Sequence, residues 1–265
     1  MVVINVSYKN LRTLDGIDLT GVTELYCQEN GLTELPVLPE TLIILHCARN
    51  ELTFLPVLPK SLQQLDCYRN KLKTLPDLPD SLGSFDCSFN HLTFLPTLST
   101  TCITRLTCND NQLILLPELP ITLNILNCAH NVLTELPAIP DSLTYLYCGD
   151  NKIKMLPSLP DHLRELHCWN NELNMNRIDS DNFEYDNLPD LPESLYMLDL
   201  LRPYDPLDIF DIKLFQHNKK RLDLGLPVLL PININELIND EEIRQQHKLW
   251  QYRIGGDKYN GSLAK

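Results

Sequence analysis

Hydrophobic residues in this chain follow one repeated pattern. From residue 22 onward the unit Leu-x-x-Leu-x-Cys-x-x-Asn-x-Leu-x-x-Leu-Pro-x-Leu-Pro-x-Ser/Thr recurs, and residues 62–81 give a clean copy, with Leu65, Cys67, Asn70, Leu72, Leu75, Pro76, Leu78 and Pro79 in place. Its anchors are Cys27, Cys47, Cys67, Cys87, Cys108, Cys128, Cys148 and Cys168, spaced by twenty residues with one step of twenty-one. Three residues after each comes an Asn: Asn30, Asn50, Asn70, Asn90, Asn111, Asn131, Asn151 and Asn171. Leu-x-Cys has the period-two alternation of a strand, so Leu65 and Cys67 face one way and Asp66 the other. A twenty-residue period returns the chain beside its previous turn, which predicts parallel strands stacked about 4.8 Å apart with Leu and Cys ladders inside. Leu-Pro-x-Leu-Pro removes two amide donors per repeat, so the return path is predicted to be extended and polyproline-like, with each Leu of a Leu-Pro pair turned inward.

The ends depart from the unit. Ile4, Asn5 and Val6 occupy the place of a preceding strand, so residues 1–21 are predicted to cap the array. After Leu173 the register breaks over residues 174–187, predicted to be a protruding loop, and resumes with Leu188-Pro189-Asp190-Leu191-Pro192 and Met197-Leu198-Asp199. The solenoid is therefore expected over 22–200. Residues 201–265 do not repeat; Ile243, His247, Trp250 and Ile254 fall on one face at helical spacing, predicting a helix near 236–254 as a small C-terminal cap.

This pattern resembles the leucine-rich repeats, and the short Leu-Pro-x-Leu-Pro form is similar to the repeats of bacterial effectors of the YopM and IpaH kind. The Cys at the usual aliphatic site resembles leucine-rich repeat proteins of giant viruses and some bacteria. The resemblance covers residues 22–200 and implies a repeat solenoid with a parallel β-sheet on its concave face and a protein-binding, non-enzymatic role, effector-like towards host processes. IpaH-type proteins carry a ubiquitin ligase domain with a catalytic Cys, whereas here the last Cys, Cys168, lies inside the repeats. YopM-type proteins precede their repeats with a secretion segment and helices, and here strand-like sequence begins at Val2. An adaptor for ubiquitin machinery acting through residues 226–254 is an alternative.

Composition narrows the partners. The 265 residues carry 22 Lys and Arg against 35 Asp and Glu, a net charge of −13 that repels phosphate backbones, so nucleic acid is not expected to bind. There is no apolar run of the ~18 residues a membrane span needs and no cationic leader, which predicts a cytoplasmic protein without membrane attachment; a monomer is expected. Nine Cys would suggest disulfides or metal, but an inward ladder of thiols in parallel register suits neither the disulfide geometry nor a tetrahedral site; the Cys are read as core, with no metal and no cofactor. Cys102 alone replaces the Ser/Thr after the second Pro and is read as a tolerated substitution or an accessible thiol. The Asn ladder is read as satisfying backbone groups from one coil to the next. Thr41, Ser61, Ser81 and Ser142 are expected to form local hydroxyl turns.

What remains is free to choose a partner. The outward row before the Cys reads Tyr26, His46, Asp66, Asp86, Thr107, Asn127, Tyr147, His167 and Asp199. Beyond the Cys come Tyr68 and Trp169, then Arg49, Arg69 and Phe89; Arg105 and Tyr145 open their strands. Aromatic residues and Arg dominate binding hot spots, so two clusters are singled out: Tyr68, Arg69 and Phe89 with Arg49, and Tyr147 with His167 and Trp169. A hydrolase built on Asp66 and Asp86, one strand apart, is the alternative of a different class; an open face lacks the pocket that raises one carboxyl pKa, and repulsion partly relieved by His46 is the plainer reading. His46 and His167 lie roughly 30 Å apart at this strand spacing and cannot share a metal.

Overall fold

A computed structural model describes residues 1–173 together with 176–177, 183–184, 189, 191–192, 195 and 197–199. The chain divides into two units, Met1–Ile209 and Phe210–Lys265. The second, with the helix expected at 236–254 and any ubiquitin-adaptor role for the tail, lies outside the described residues.

Each repeat contributes one three-residue strand: β1 (Val3–Asn5), β2 (Glu24–Tyr26), β3 (Ile44–His46), β4 (Gln64–Asp66), β5 (Ser84–Asp86), β6 (Arg105–Thr107), β7 (Ile125–Asn127), β8 (Tyr145–Tyr147) and β9 (Glu165–His167). The interruption after β9 holds a short antiparallel pair, β10 (Asn176–Arg177) with β11 (Phe183–Glu184), where a plain loop was expected. The sheet then resumes with β12 (Met197–Asp199), paired parallel to β9 so that Asp199 lies opposite His167. The result is one ten-stranded parallel sheet in chain order, a leucine-rich repeat solenoid.

The central residue of each strand points inward, and Leu25, Leu45, Leu65, Phe85, Leu106, Leu126, Leu146 and Leu166 pair in unbroken register, nearly all fully buried. The eight periodic Cys complete the wall at 0% exposure. Because side chains alternate, a one-residue slip would turn both rows outward, so the pairing register is strongly fixed. Val6 takes the Cys position in the first turn, its N–H donating to the Tyr26 carbonyl at 2.8 Å as Cys27 N–H does to His46. On the return path Leu35, Leu38, Leu55 and Leu58 are buried beside their prolines. The extra residue of the twenty-one-residue repeat is absorbed between Leu98 and Ile103, both fully buried, where Thr101 donates its N–H and its hydroxyl to the Leu98 carbonyl.

The asparagine ladder runs through the same interior. Asn50 Nδ2 donates to the carbonyls of Cys27 and Cys47, both at 3.0 Å, and its Oδ1 accepts the Leu32 N–H at 3.1 Å. The arrangement recurs through the stack to Asn171, so each amide ties its own turn to the coil before it. The hydroxyls behave differently from expectation. Ser61 Oγ donates to Glu40 and Leu42 carbonyls in the previous coil at 2.6 and 2.7 Å, and Ser81 and Ser142 do likewise. Thr41 reaches the Val22 carbonyl. The local turn is closed by backbone instead, Leu62 N–H to the Pro59 carbonyl, which leaves the hydroxyl to bridge coils.

Candidate partner-binding surface

Two rows of variable side chains border the scaffold. The first is the outward row of the strands, where Tyr26, His46, Asp66, Asp86, Thr107, Asn127, Tyr147 and His167 stand in register and half-buried. The second lies in the turn just before each ladder Asn. Glu29, Arg49, Arg69, Phe89, Asp110, His130, Asp150 and Asn170 all adopt left-handed backbone, with φ between 51 and 55°. L-residues there carry a cost of roughly 1–2 kcal/mol, mildest for Asn and Asp. The turn is held by N–H groups donating to the next coil, as from Arg49 to the Tyr68 carbonyl at 2.7 Å and from Arg69 to that of Ser88 at 2.9 Å. Nothing in the sequence marked this conformation, because glycine is absent from the row.

Of the first cluster, the structure brings Arg49, Tyr68 and Phe89 together. Arg49 Nε pairs with Glu29 Oε1 at 3.1 Å, its guanidinium lies 5.5 Å from the Tyr68 ring centroid, and Tyr68 meets the Phe89 ring edge-on at 5.3 Å. Arg69 is exposed in the same row. One coil earlier Tyr26 packs edge-on against His46 at 5.1 Å and donates its hydroxyl to Glu24 Oε2 at 2.8 Å.

The second cluster divides into two pairs. Tyr147 and His167 stack at 4.9 Å, with the Tyr147 hydroxyl donating to Glu165 Oε2 at 2.8 Å and His167 Nε2 lying 3.7 Å from the same oxygen. Trp169 instead meets His130 edge-on at 5.6 Å, and His130 Nδ1 pairs with Asp150 Oδ2 at 2.8 Å. The indole reaches His130 because the intervening residue is Gly149: a Cβ there would fall 2.7 Å from Trp169 Nε1. His130, Asp150 and Gly149 stand in the variable rows but outside the two clusters that residue type singles out. Arg105 and Tyr145 occupy the first positions of β6 and β8, one row further from the turn.

Asp66 and Asp86 are neighbours in register, and each serves its own turn. Asp66 Oδ1 accepts the Tyr68 N–H at 3.0 Å, and Asp86 Oδ1 accepts the Ser88 N–H at 2.9 Å and the Ser88 hydroxyl at 2.5 Å. Asn5 and Asn127 accept the same bond in their coils, so this row is partly scaffold. Burial, followed by the Asp86 charge, raises the Asp66 carboxyl pKa, while the Tyr68 N–H and His46 act against it. The interior thiols are pushed up by burial, Cys27 and Cys128 to about 12, and all nine Cys are unbridged, with Cys102 exposed. Among the described residues no group of three or more His, Cys, Asp or Glu is arranged to hold a metal ion, and no helix is long and apolar enough to cross a membrane.

Stacked parallel strands, an inward Leu and Cys wall and an asparagine ladder define a leucine-rich repeat protein. The chain is similar in structure to YopM, a leucine-rich effector protein from Yersinia pestis, with 31% identity and a TM-score of 0.59 over 74% of this chain and 59% of that one. It is similar to a Shigella effector leucine-rich repeat domain at 28% identity and a TM-score of 0.50, over 75% of this chain and 82% of that one. A leucine-rich repeat protein of Leptospira interrogans shares the fold at 22% identity and a TM-score of 0.53, over 77% of this chain and 56% of that one. The chain thus spans 59% of the length of the YopM chain it matches. No protein-family model matches the chain, and no curated protein matches it.

Proposed function

We propose that this protein is a non-enzymatic scaffold that binds a partner protein through the open face of its sheet and the adjoining turn row. The observation carrying this reading is the contrast between rows. Leu, Cys and Asn positions repeat, whereas the outward ones vary and their aromatic and charged side chains are already packed against one another at Arg49/Tyr68/Phe89, Tyr147/His167 and His130/Trp169. Prepacked aromatic groups lose little freedom on binding, which favours affinity. The Asp66 and Asp86 carboxylates are engaged in their own turns, so the geometry supports structure there over hydrolysis. Similarity to YopM and the Shigella effector domain supports a target among host-cell proteins, met by a monomer in a reducing compartment where the thiol ladder persists.

The test is capture from cell lysate by immobilised protein. Wild type should retain a saturable partner, and Tyr68→Ala combined with Trp169→Ala should lose it while circular dichroism stays unchanged. Capture that is indifferent to both substitutions, or never saturates, would overturn the reading.

A further inference from the structure

The turn row accepts Glu, Arg, Phe, Asp, His and Asn at one backbone conformation, so the fold does not ask for cations at any particular coil. Yet cations gather there. Between Arg49 and Lys73 the chain places Arg49, Lys60, Arg69, Lys71 and Lys73 against only two carboxylates, Glu51 and Asp66, in a protein whose net charge is −13. Four of the five fall on the turn edge: Arg49 and Arg69 in the left-handed row of successive coils, Lys71 and Lys73 just beyond the ladder Asn70. Glu29 pairs with Arg49 and Glu51 with Lys71, whereas Arg69 and Lys73 form no ion pair among the described residues.

Apolar surface interleaves with this charge. Phe89 is 43% exposed one coil on from Arg69, and Phe54 and Phe94, 47% and 54% exposed, occupy one row on coils to either side of Lys73. We propose that this strip, Arg49, Tyr68, Arg69, Lys73 and Phe89 at its centre, docks a short acidic segment of a partner protein that also carries an apolar side chain. The proposal rests on the scaffold reading above and names the chemistry of its partner at this cluster.

Charge and size select that occupant. Three coils span about 10 Å, the reach of three or four extended residues. Glu29 and Asp110 bound the strip within the same row, so a wide anionic surface would meet carboxylates on either side as well as the net negative charge. A short segment avoids both. Arg49 stacked on Tyr68, with Tyr68 braced by Phe89, offers a pre-ordered guanidinium and an aromatic wall, the combination suited to a carboxylate beside an apolar group. The His130/Trp169 cluster carries Asp150 as a partner and lacks this excess of cations.

The probe is a fluorescein-labelled peptide alternating Glu with Phe and Leu between Gly spacers, against the same peptide with Lys for Glu, titrated by anisotropy into the full chain. The acidic peptide should bind at least tenfold more tightly and weaken as salt is raised from 50 to 300 mM. Arg69→Glu with Lys73→Glu, both on exposed side chains, should cost a further tenfold or more, while Lys154→Glu, an exposed cation four coils away, should leave it unchanged. Equal binding of the two peptides, no binding at millimolar concentration, indifference to the charge reversals, or a preference for phosphatidylserine vesicles over the peptide would each overturn the proposal. Lysate capture that depends on Trp169 and not on Arg69 would sink this proposal and leave the scaffold reading standing.

Discussion

Consecutive residues in each turn obey different rules. Asn70 is buried and uses both ends of its amide: Nδ2 donates to the carbonyls of Cys47 and Cys67, and Oδ1 accepts the Leu52 N–H. Arg69, immediately before it, holds an equally unusual place, φ 53°, but the requirement falls on its backbone and its side chain is exposed. A demand on a side chain leaves one residue type in every repeat. A demand on the backbone can be met by many types at modest cost, and leaves a row that looks unconstrained.

Removing the amide should have the largest effect. Asn70→Ala leaves the Leu52 N–H without a partner and removes one of two amide donors from the Cys47 and Cys67 carbonyls, which keep Asn50 and Asn90; at about 1–3 kcal/mol for the orphaned group and about 1 kcal/mol for each lost bond, the loss should reach roughly 3–5 kcal/mol. Urea unfolding should show it as a large fall in midpoint, or as a separate early transition if the stack parts at that coil. A loss under about 1 kcal/mol would mean that the ladder is decoration.

The thiol wall gives the next contrast. Cys87 is fully buried in an apolar row, so Cys87→Ser should cost about 1–3 kcal/mol for burying a hydroxyl, whereas Cys87→Val should stay within about 1.5 kcal/mol because it keeps the volume apolar. An alkylating reagent offers an independent check: native protein should react at Cys102 alone, and the other eight should react only after unfolding. Rapid native labelling of several thiols would contradict the burial.

These contrasts show what the chain displays before it folds. The strand register, the buried Leu and Cys, the bridging Asn and the return of the sheet at β12 were all legible, because each imposes a residue type at a fixed interval. Ser61 was readable as a hydrogen-bonding residue but not as an inter-coil bridge, since the choice between a local and a neighbouring carbonyl depends on the Leu62 N–H having already closed the turn. The candidate surface was half legible. Arg49, Tyr68 and Phe89 fall on successive coils and are in contact, but Trp169 joined His130 because Gly149 clears its path, and the lack of a side chain carries no signal of what will fill the space.

The left-handed row can be probed where strain is greatest. Phe89 has φ 53° and a bulky side chain, and Asn tolerates that region far better, so Phe89→Asn should raise stability by up to about 1 kcal/mol, less whatever the Tyr68 contact contributes. The same substitution should weaken partner capture. A variant more stable yet less able to bind would separate the two demands that meet at this residue, whereas lower stability would show that the ring contact outweighs the backbone strain.

The smallest effect belongs to Asp66, in the row that is neither wholly scaffold nor wholly free. Burial raises its carboxyl pKa above the unfolded value, and the Asp86 charge adds to this, so across that window the folded state binds more protons than the unfolded chain and stability falls as pH rises. At neutral pH both states are ionised and the penalty is fully present; below the ordinary Asp pKa both are protonated and it vanishes. Asp66→Asn removes the charge and keeps the acceptor oxygen that takes the Tyr68 N–H, as Asn5 and Asn127 do for their own turns. It should therefore stabilise the protein modestly at pH 7, with the gain disappearing by about pH 3. A gain that persists in acid would point to packing instead of charge, and a loss at pH 7 would show that the ionised carboxylate holds the turn better than an amide can.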